Sequence, residues 1–165
     1  MMRQYITSCL LALALVAGPA SAQQLGVKFG GLQQDTSLPV EVTSDSLSVD
    51  QTDGTALFTG NVLAKQGEMR LQAKEIRVEY GASGQGIQRL HATGGVTLVS
   101  PTDAAEAQEA VYTIATGLVV MSGNVLLTQG AAAISGESLT VNLKDGTGTV
   151  SGNVKTVFSP GSKQP

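Results

Sequence analysis

Cysteine is almost missing: the 165 residues contain one, Cys9. It sits in a leader-like segment, so the rest of the chain holds no disulfide, thiol nucleophile or thiolate metal site. His91 is the single histidine, which excludes a His-rich metal centre. Tryptophan is absent, and there are three Phe and three Tyr. Cations are few as well. Ten Lys and Arg stand against 13 Asp and Glu, a net charge of −3, and no basic run exists to grip a phosphate backbone, so a nucleic-acid partner is not expected. Beyond the leader there is no long apolar run and no sustained helical stripe. Residues 104–110 come nearest to one, and Gly and Pro punctuate their surroundings.

What is present begins with that leader. Arg3 and the amino terminus supply positive charge, residues 9–18 form a short apolar run, and Ala20-Ser21-Ala22 is a small-x-small cleavage site. The run is shorter than the roughly 20 residues a spanning helix needs, so residues 1–22 read as a secretory signal, with the mature chain starting at Gln23 in the periplasm. Residues 23–37, rich in Gly and Gln, read as a flexible lead-in. Residues 38–158 form the domain and 159–165 a tail.

The remainder combines 20 Gly with Val, Leu, Ile, Ala and Asx turns, the composition of short strands. Gly-Asn-Val occurs at 60–62, 123–125 and 152–154, with Gly94-Gly95-Val96 a degenerate copy. A second element precedes each, containing Leu47, Ile76, Ala110 and Leu139. The intervals agree: 47 to 60, 110 to 123 and 139 to 152 match, and 76 to 94 is five longer. The return intervals 60 to 76, 94 to 110 and 123 to 139 are equal. Four units of about 29 residues follow, the second carrying its extra residues near 81–86.

Within a unit the period is two. Ala56, Phe58, Gly60, Val62 and Ala64 share one face, and Thr59, Asn61 and Lys65 the other. The glycine thus falls on the apolar face, where it leaves space and permits a bend. Parity then flips: Met69, Leu71 and Ala73 are odd, Ile76, Val78 and Tyr80 even. A strand cannot keep both sets on one face without a turn or bulge near Lys74-Glu75. Asp53-Gly54, Gln66-Gly67 and Asp145-Gly146 suit hairpins. Stacked units give a long, twisted, two-walled all-β structure with an apolar interior.

Catalytic chemistry finds little support. His91 reads as an exposed strand residue, and Asp50 and Asp53 as a solvated Asx turn rather than a calcium site. Asn61, Asn124 and Asn153 read as local backbone partners. Arg70, Lys74, Arg77 and Arg89 form a solvated cationic face, or a rim for phosphates. The aliphatic face, with Leu47, Val49, Val62, Leu71, Ile76, Val78, Val96, Leu98, Val125, Leu127, Ile134, Leu139, Val141 and Val154, reads by itself as an ordinary β core. Left open, it would suit acyl chains, each buried methylene contributing about 0.8 kcal/mol.

Pro39-Val-Glu-Val-Thr-Ser-Asp45, Phe58-Thr-Gly-Asn-Val62, Leu71-Gln-Ala-Lys74 and the recurring Gly-Asn-Val resemble the OstA-type repeats of the LptA family of periplasmic lipopolysaccharide transport proteins. The resemblance spans about residues 39–157. It implies an open, twisted, V-shaped β-jellyroll that shields lipid A acyl chains, catalyses nothing and needs no cofactor. On that reading the chain's own apolar face supplies the acyl-facing positions: Val49, Phe58, Val62, Leu71, Ile76, Val78, Val96, Leu98, Val125, Leu127, Ile134, Leu139 and Val141. It also implies head-to-tail self-association, with an LptC-like protein at one end and an LptD-like protein at the other. Strand edges at Val40, Val42, Val154 and Val157 would pair across chains. The alternatives are a structural β-repeat protein with a closed core and an envelope enzyme built on paired carboxylates.

Overall fold

The computed structural model describes residues 26–28, 30–82 and 86–159; the segment read as a secretory signal and residues 160–165 lie outside them. Eleven strands form one antiparallel sheet. Six are long: β4 (Thr55–Gln66), β5 (Met69–Tyr80), β6 (Ile87–Val99), β7 (Asp103–Thr113), β8 (Leu118–Gln129) and β9 (Ala132–Asn142). Five are short: β1 (Gly26–Lys28), β2 (Glu41–Thr43), β3 (Ser46–Asp50), β10 (Thr147–Ser151) and β11 (Lys155–Phe158).

Every long strand is interrupted midway, so the sheet folds into two walls. The first wall runs β3, 55–59, 75–79, 87–93, 109–113, 118–122, 138–142, β10 and β1. The second runs β2, 62–66, 69–73, 96–99, 103–107, 125–129, 132–136 and β11. Along the corner, two residues on one strand oppose one on its neighbour. Gly60-Asn61 lie opposite Lys74, Gly94-Gly95 opposite Gln108 and Gly123-Asn124 opposite Glu137.

These bulges explain the parity. β4 keeps even residues inside on both sides of its corner (Ala56, Val62, Ala64), because the bulge supplies an extra residue. β5 has none, so its inside positions pass from Leu71 and Ala73 to Ile76 and Val78. The expected break near Lys74-Glu75 is therefore a corner within a continuous strand.

The corner glycines correct one expectation. They do not face the aliphatic interior. A methyl group at Gly60 would lie 2.5 Å from Asp45, at Gly94 2.9 Å from Lys74, at Gly123 2.9 Å from Gln108 and at Gly152 2.5 Å from Glu137. Their φ angles, 80°, 84°, 84° and 78°, add a second reason why only glycine fits. The next residue is left-handed too: Asn61, Asn124 and Asn153 have φ of 47°, 50° and 46°, a region asparagine tolerates better than most residues. Nor is the asparagine role confined to the backbone. Asn61 Nδ2 donates to Asp45 Oδ2 at 2.8 Å, and Asn153 Nδ2 to Glu137 Oε1 at 2.6 Å.

The segment read as a lead-in makes defined contacts where described. β1 pairs with β10. A 3-10 turn (Gly30–Leu32) follows, and the chain then runs to β2, which pairs with β4 at the far edge of the other wall. Leu32 is completely buried.

Candidate lipid-binding trough

The facing inner surfaces of the walls form the candidate site. Val62, Leu71, Ile76, Val78, Val96, Leu98, Val125, Leu127, Ile134, Leu139 and Val141 are all buried in one continuous cluster, with Phe58 packed partly against it. Val49 does not join them. It is 59% exposed, and Leu47 53%. Both pair with inward positions, Val49 with Ala56 and Leu47 with Phe58, so they share the inner face. However, β3 is the edge of its wall and has no strand beyond it to cover them. The inner face is thus sealed in the middle and exposed at this end.

Two polar side chains enter the aliphatic cluster, and sequence reading missed both. Tyr112, on the first wall, donates its hydroxyl to Gln66 Oε1, on the second, at 2.6 Å. The Gln66 amide donates to the backbone carbonyls of Thr36 and Leu38 at 3.1 and 2.8 Å. One buried network therefore joins both walls to the segment before β2. Burial pushes the Tyr112 phenol up to about 12, opposed by its bond to Gln66, so it stays a neutral donor over the physiological range. Gln66 shares the parity of Val62 and Ala64, which was the signal for its inward position; its adjacency to Gly67 favoured a turn reading instead.

The predicted edges sit at the two ends of the second wall. Among the described residues β2 pairs only with β4, and β11 only with β9. Val42 lies in β2, and Val40 just before it; both pack partly on the core. Val157, in β11, and Val154, just before it, are exposed, as is Phe158 at 73%. The first wall has edges of its own, β1 and β3, which sequence reading had not marked as edges.

Other candidates are ordinary surface groups. His91 is partly exposed, 3.7 Å from Glu109. Asp50 accepts the amides of Thr52 and Asp53 at 2.8 and 3.3 Å, an Asx turn, and these bonds hold its carboxyl below the usual range. Arg70, Lys74, Arg77 and Arg89 are exposed, with Arg89 paired to Glu79 at 3.4 Å. Among the described residues, no cluster of three His, Cys, Asp or Glu could hold a metal ion.

These features define a class of protein: a two-walled, all-β fold with an aliphatic interior and unpaired strand edges at the ends. The family model "LptA/(LptD N-terminal domain) LPS transport protein" matches residues 41–147. The chain belongs to that family. It is 28% identical to an uncharacterized protein of Rhizobium meliloti strain 1021, over 93% of this chain and 89% of that one. It is 29% identical to the lipopolysaccharide export system protein LptA of Escherichia coli K12, over 67% of this chain and 63% of that one. Among solved structures, LptH of Pseudomonas aeruginosa, described as the LptA homologous periplasmic component of the lipopolysaccharide transport device, superposes with a TM-score of 0.69. The match covers 77% of this chain and 99% of that chain at 16% identity, which supports the fold.

Proposed function

We propose that the protein is a non-enzymatic periplasmic carrier that shields the acyl chains of lipopolysaccharide between its walls on the way from inner to outer membrane. The observation that supports this reading is the largely aliphatic inner face, buried along the middle of the sheet and exposed at β3. Burial of alkyl chains needs area rather than specific polar contacts, and each methylene taken from water contributes about 0.8 kcal/mol. The unpaired edges of β2 and β11 fit strand addition by another copy, by an LptC-like protein or by an LptD-like protein. A photo-crosslinking side chain at Val96 or Leu98 should capture lipopolysaccharide, and one at Thr97, on the outer face, should not. Equal labelling at all three would reject the assignment. Deleting residues 155–165 should leave a folded chain that no longer forms concentration-dependent oligomers; unchanged assembly would remove β11 from the bridge.

A second reading rests on a specific observation. Leu98, Leu127, Ile76 and Leu139 are fully buried by the protein's own residues, as the closed core of a structural β protein would be. Carriage and closure are compatible only if some part of the molecule opens.

A further inference from the structure

We propose that residues 30–40 are a built-in strap that closes the mouth of the trough and competes with acyl chains for its interior. The inference rests on the carrier reading for the identity of the competing ligand, but the closure itself is a matter of geometry. The strap leaves β1, at one edge of the first wall, and enters β2, at the opposite edge of the second. Eight strand spacings separate those edges along the sheet, roughly 38 Å at the usual spacing. The connection, which includes the 3-10 turn and a second turn closed by Leu38 N–H on Asp35 O, therefore runs from one end of the sheet to the other.

Its contacts alternate between the walls. Gln34 N–H donates to Leu143 O at 2.7 Å, and Gln33 Nε2 to Lys144 O at 3.1 Å, both at the β9–β10 turn of the first wall. The Thr36 and Leu38 carbonyls accept from Gln66, on the second wall, which is itself tied to Tyr112 on the first. Gly31 packs on Thr102 and Asp103, at the β6–β7 turn of the second wall, so closely that a side chain there would overlap Thr102. Leu32 alone is driven completely into the core. It takes aliphatic area that an acyl chain would otherwise occupy.

The strap is built to leave. Of residues 31–40 only Leu32 is buried, whereas the walls bury an inward side chain at almost every second position. Segments with few buried apolar contacts open at low free energy. Clefts of about 350 Å³, between the strap and Ile87 and Ile114, and about 250 Å³, between the strap and Lys65 and Gly67, flank Leu38 and Pro39. Beneath the other end, both carboxylate oxygens of Asp103 are buried with no hydrogen-bond partner among the described residues. A carboxylate hidden from water in this way opposes closure, and strap release would return it to solvent.

The test locks the strap in place. A methyl at Gly31 would lie 3.1 Å from Thr102 Cβ, near the roughly 3.5–4.5 Å that a disulfide requires. The double variant Gly31→Cys/Thr102→Cys should therefore cross-link with a small adjustment. The chain is exported with its own leader and carries Cys9→Ser, so that no other thiol is present. Two probes are added to the oxidised and reduced forms of the same preparation: the apolar dye 1-anilinonaphthalene-8-sulfonate and purified lipopolysaccharide. Because only the open fraction binds, the oxidised form should take up both about tenfold less well, and reduction should restore wild-type uptake. Leu32→Ala and Asp103→Asn extend the test without a cross-link. The first should raise uptake and the second lower it, with unchanged circular dichroism. Equal uptake by oxidised and reduced forms overturns the strap while leaving the carrier reading intact. Dye uptake gated by the disulfide, with no lipopolysaccharide bound in either state, supports the strap and rejects the carrier reading. Exclusion of both probes from the reduced and wild-type proteins alike overturns the strap, because it then never opens.

Discussion

The walls and the strap solve the same problem, covering apolar surface, in opposite ways. In the walls each of the six long strands is hydrogen-bonded on both sides and buries one face, so none of them can leave without exposing its neighbours. The strap is tied down by one leucine, a few backbone bonds and the amide of Gln66. The difference teaches where motion in this molecule is cheap: along the mouth, across the line of the strands, and not at the corner.

The sharpest way to break that contrast is to place the same charge in both regions. Leu98→Asp should unfold the protein or cost at least about 4 kcal/mol in urea denaturation, because it buries a carboxylate among aliphatic side chains. Leu32→Asp should cost no more than about 3 kcal/mol, the burial of one leucine, and should leave the sheet's circular dichroism in place with the strap released. Equal damage from the two substitutions would erase the distinction.

The corner comes next in size. Gly123→Ala must hold a non-glycine residue at a φ of 84° with its methyl 2.9 Å from Gln108, at a cost of about 1–3 kcal/mol in the same denaturation experiment. Asn124→Gly, at the adjacent left-handed position, should change stability by less than about 1 kcal/mol.

Tyr112→Phe removes the link between the walls and should cost about 1–2 kcal/mol near neutral pH. Its pH dependence sharpens the assignment. The phenol is raised to about 12 in the fold from about 10 in the unfolded chain. Its contribution is therefore complete below pH 10 and is lost as pH rises through 12. The advantage of wild type over Tyr112→Phe should fall by up to about 3 kcal/mol over that window, passing through zero and changing sign.

The smallest expected effect is at Asp35, in the strap. Its carboxylate accepts the Ser37 hydroxyl and amide, at 2.5 and 3.0 Å, and those bonds, the hydroxyl first, hold its pKa below 3.8. That contribution is present above the ordinary carboxylate range and is lost as pH falls through the folded value. Amide exchange at Ser37 should therefore rise in acid before exchange in β5 or β8 does. Simultaneous exposure of strap and walls would argue against separate opening.

Much of the walls was legible because period two is a local property. The odd set Met69, Leu71 and Ala73 and the even set Ile76 and Val78 declare their own change of face without reference to any other strand. Val49 has the same local signal and is exposed all the same, since its cover depends on whether a further strand lies beyond β3, which no alternation reports. The packing of the strap was not legible for a related reason. Its Gly- and Gln-rich stretch has no period, and the one residue that matters, Leu32, is buried by partners far away in sequence. Tyr112 and Gln66 are 46 residues apart. Parity points each of them inward, but nothing local says that they meet. The corner glycines were found by their spacing, while the side chains they make room for became visible only once the strands were paired.

The corner has a consequence for how such a molecule can change in length. A bulged strand carries one residue more than its neighbour across the fold, and bulged and unbulged strands alternate through β4 to β9. Removing one strand would put two of the same kind side by side and turn the inward residues of every later strand outward. Removing an adjacent pair would keep all faces correct and shorten the sheet by two spacings, about 10 Å. Length is therefore quantised in this architecture, in steps of two strands, and the span crossed by the connection from β1 to β2 changes by the same steps.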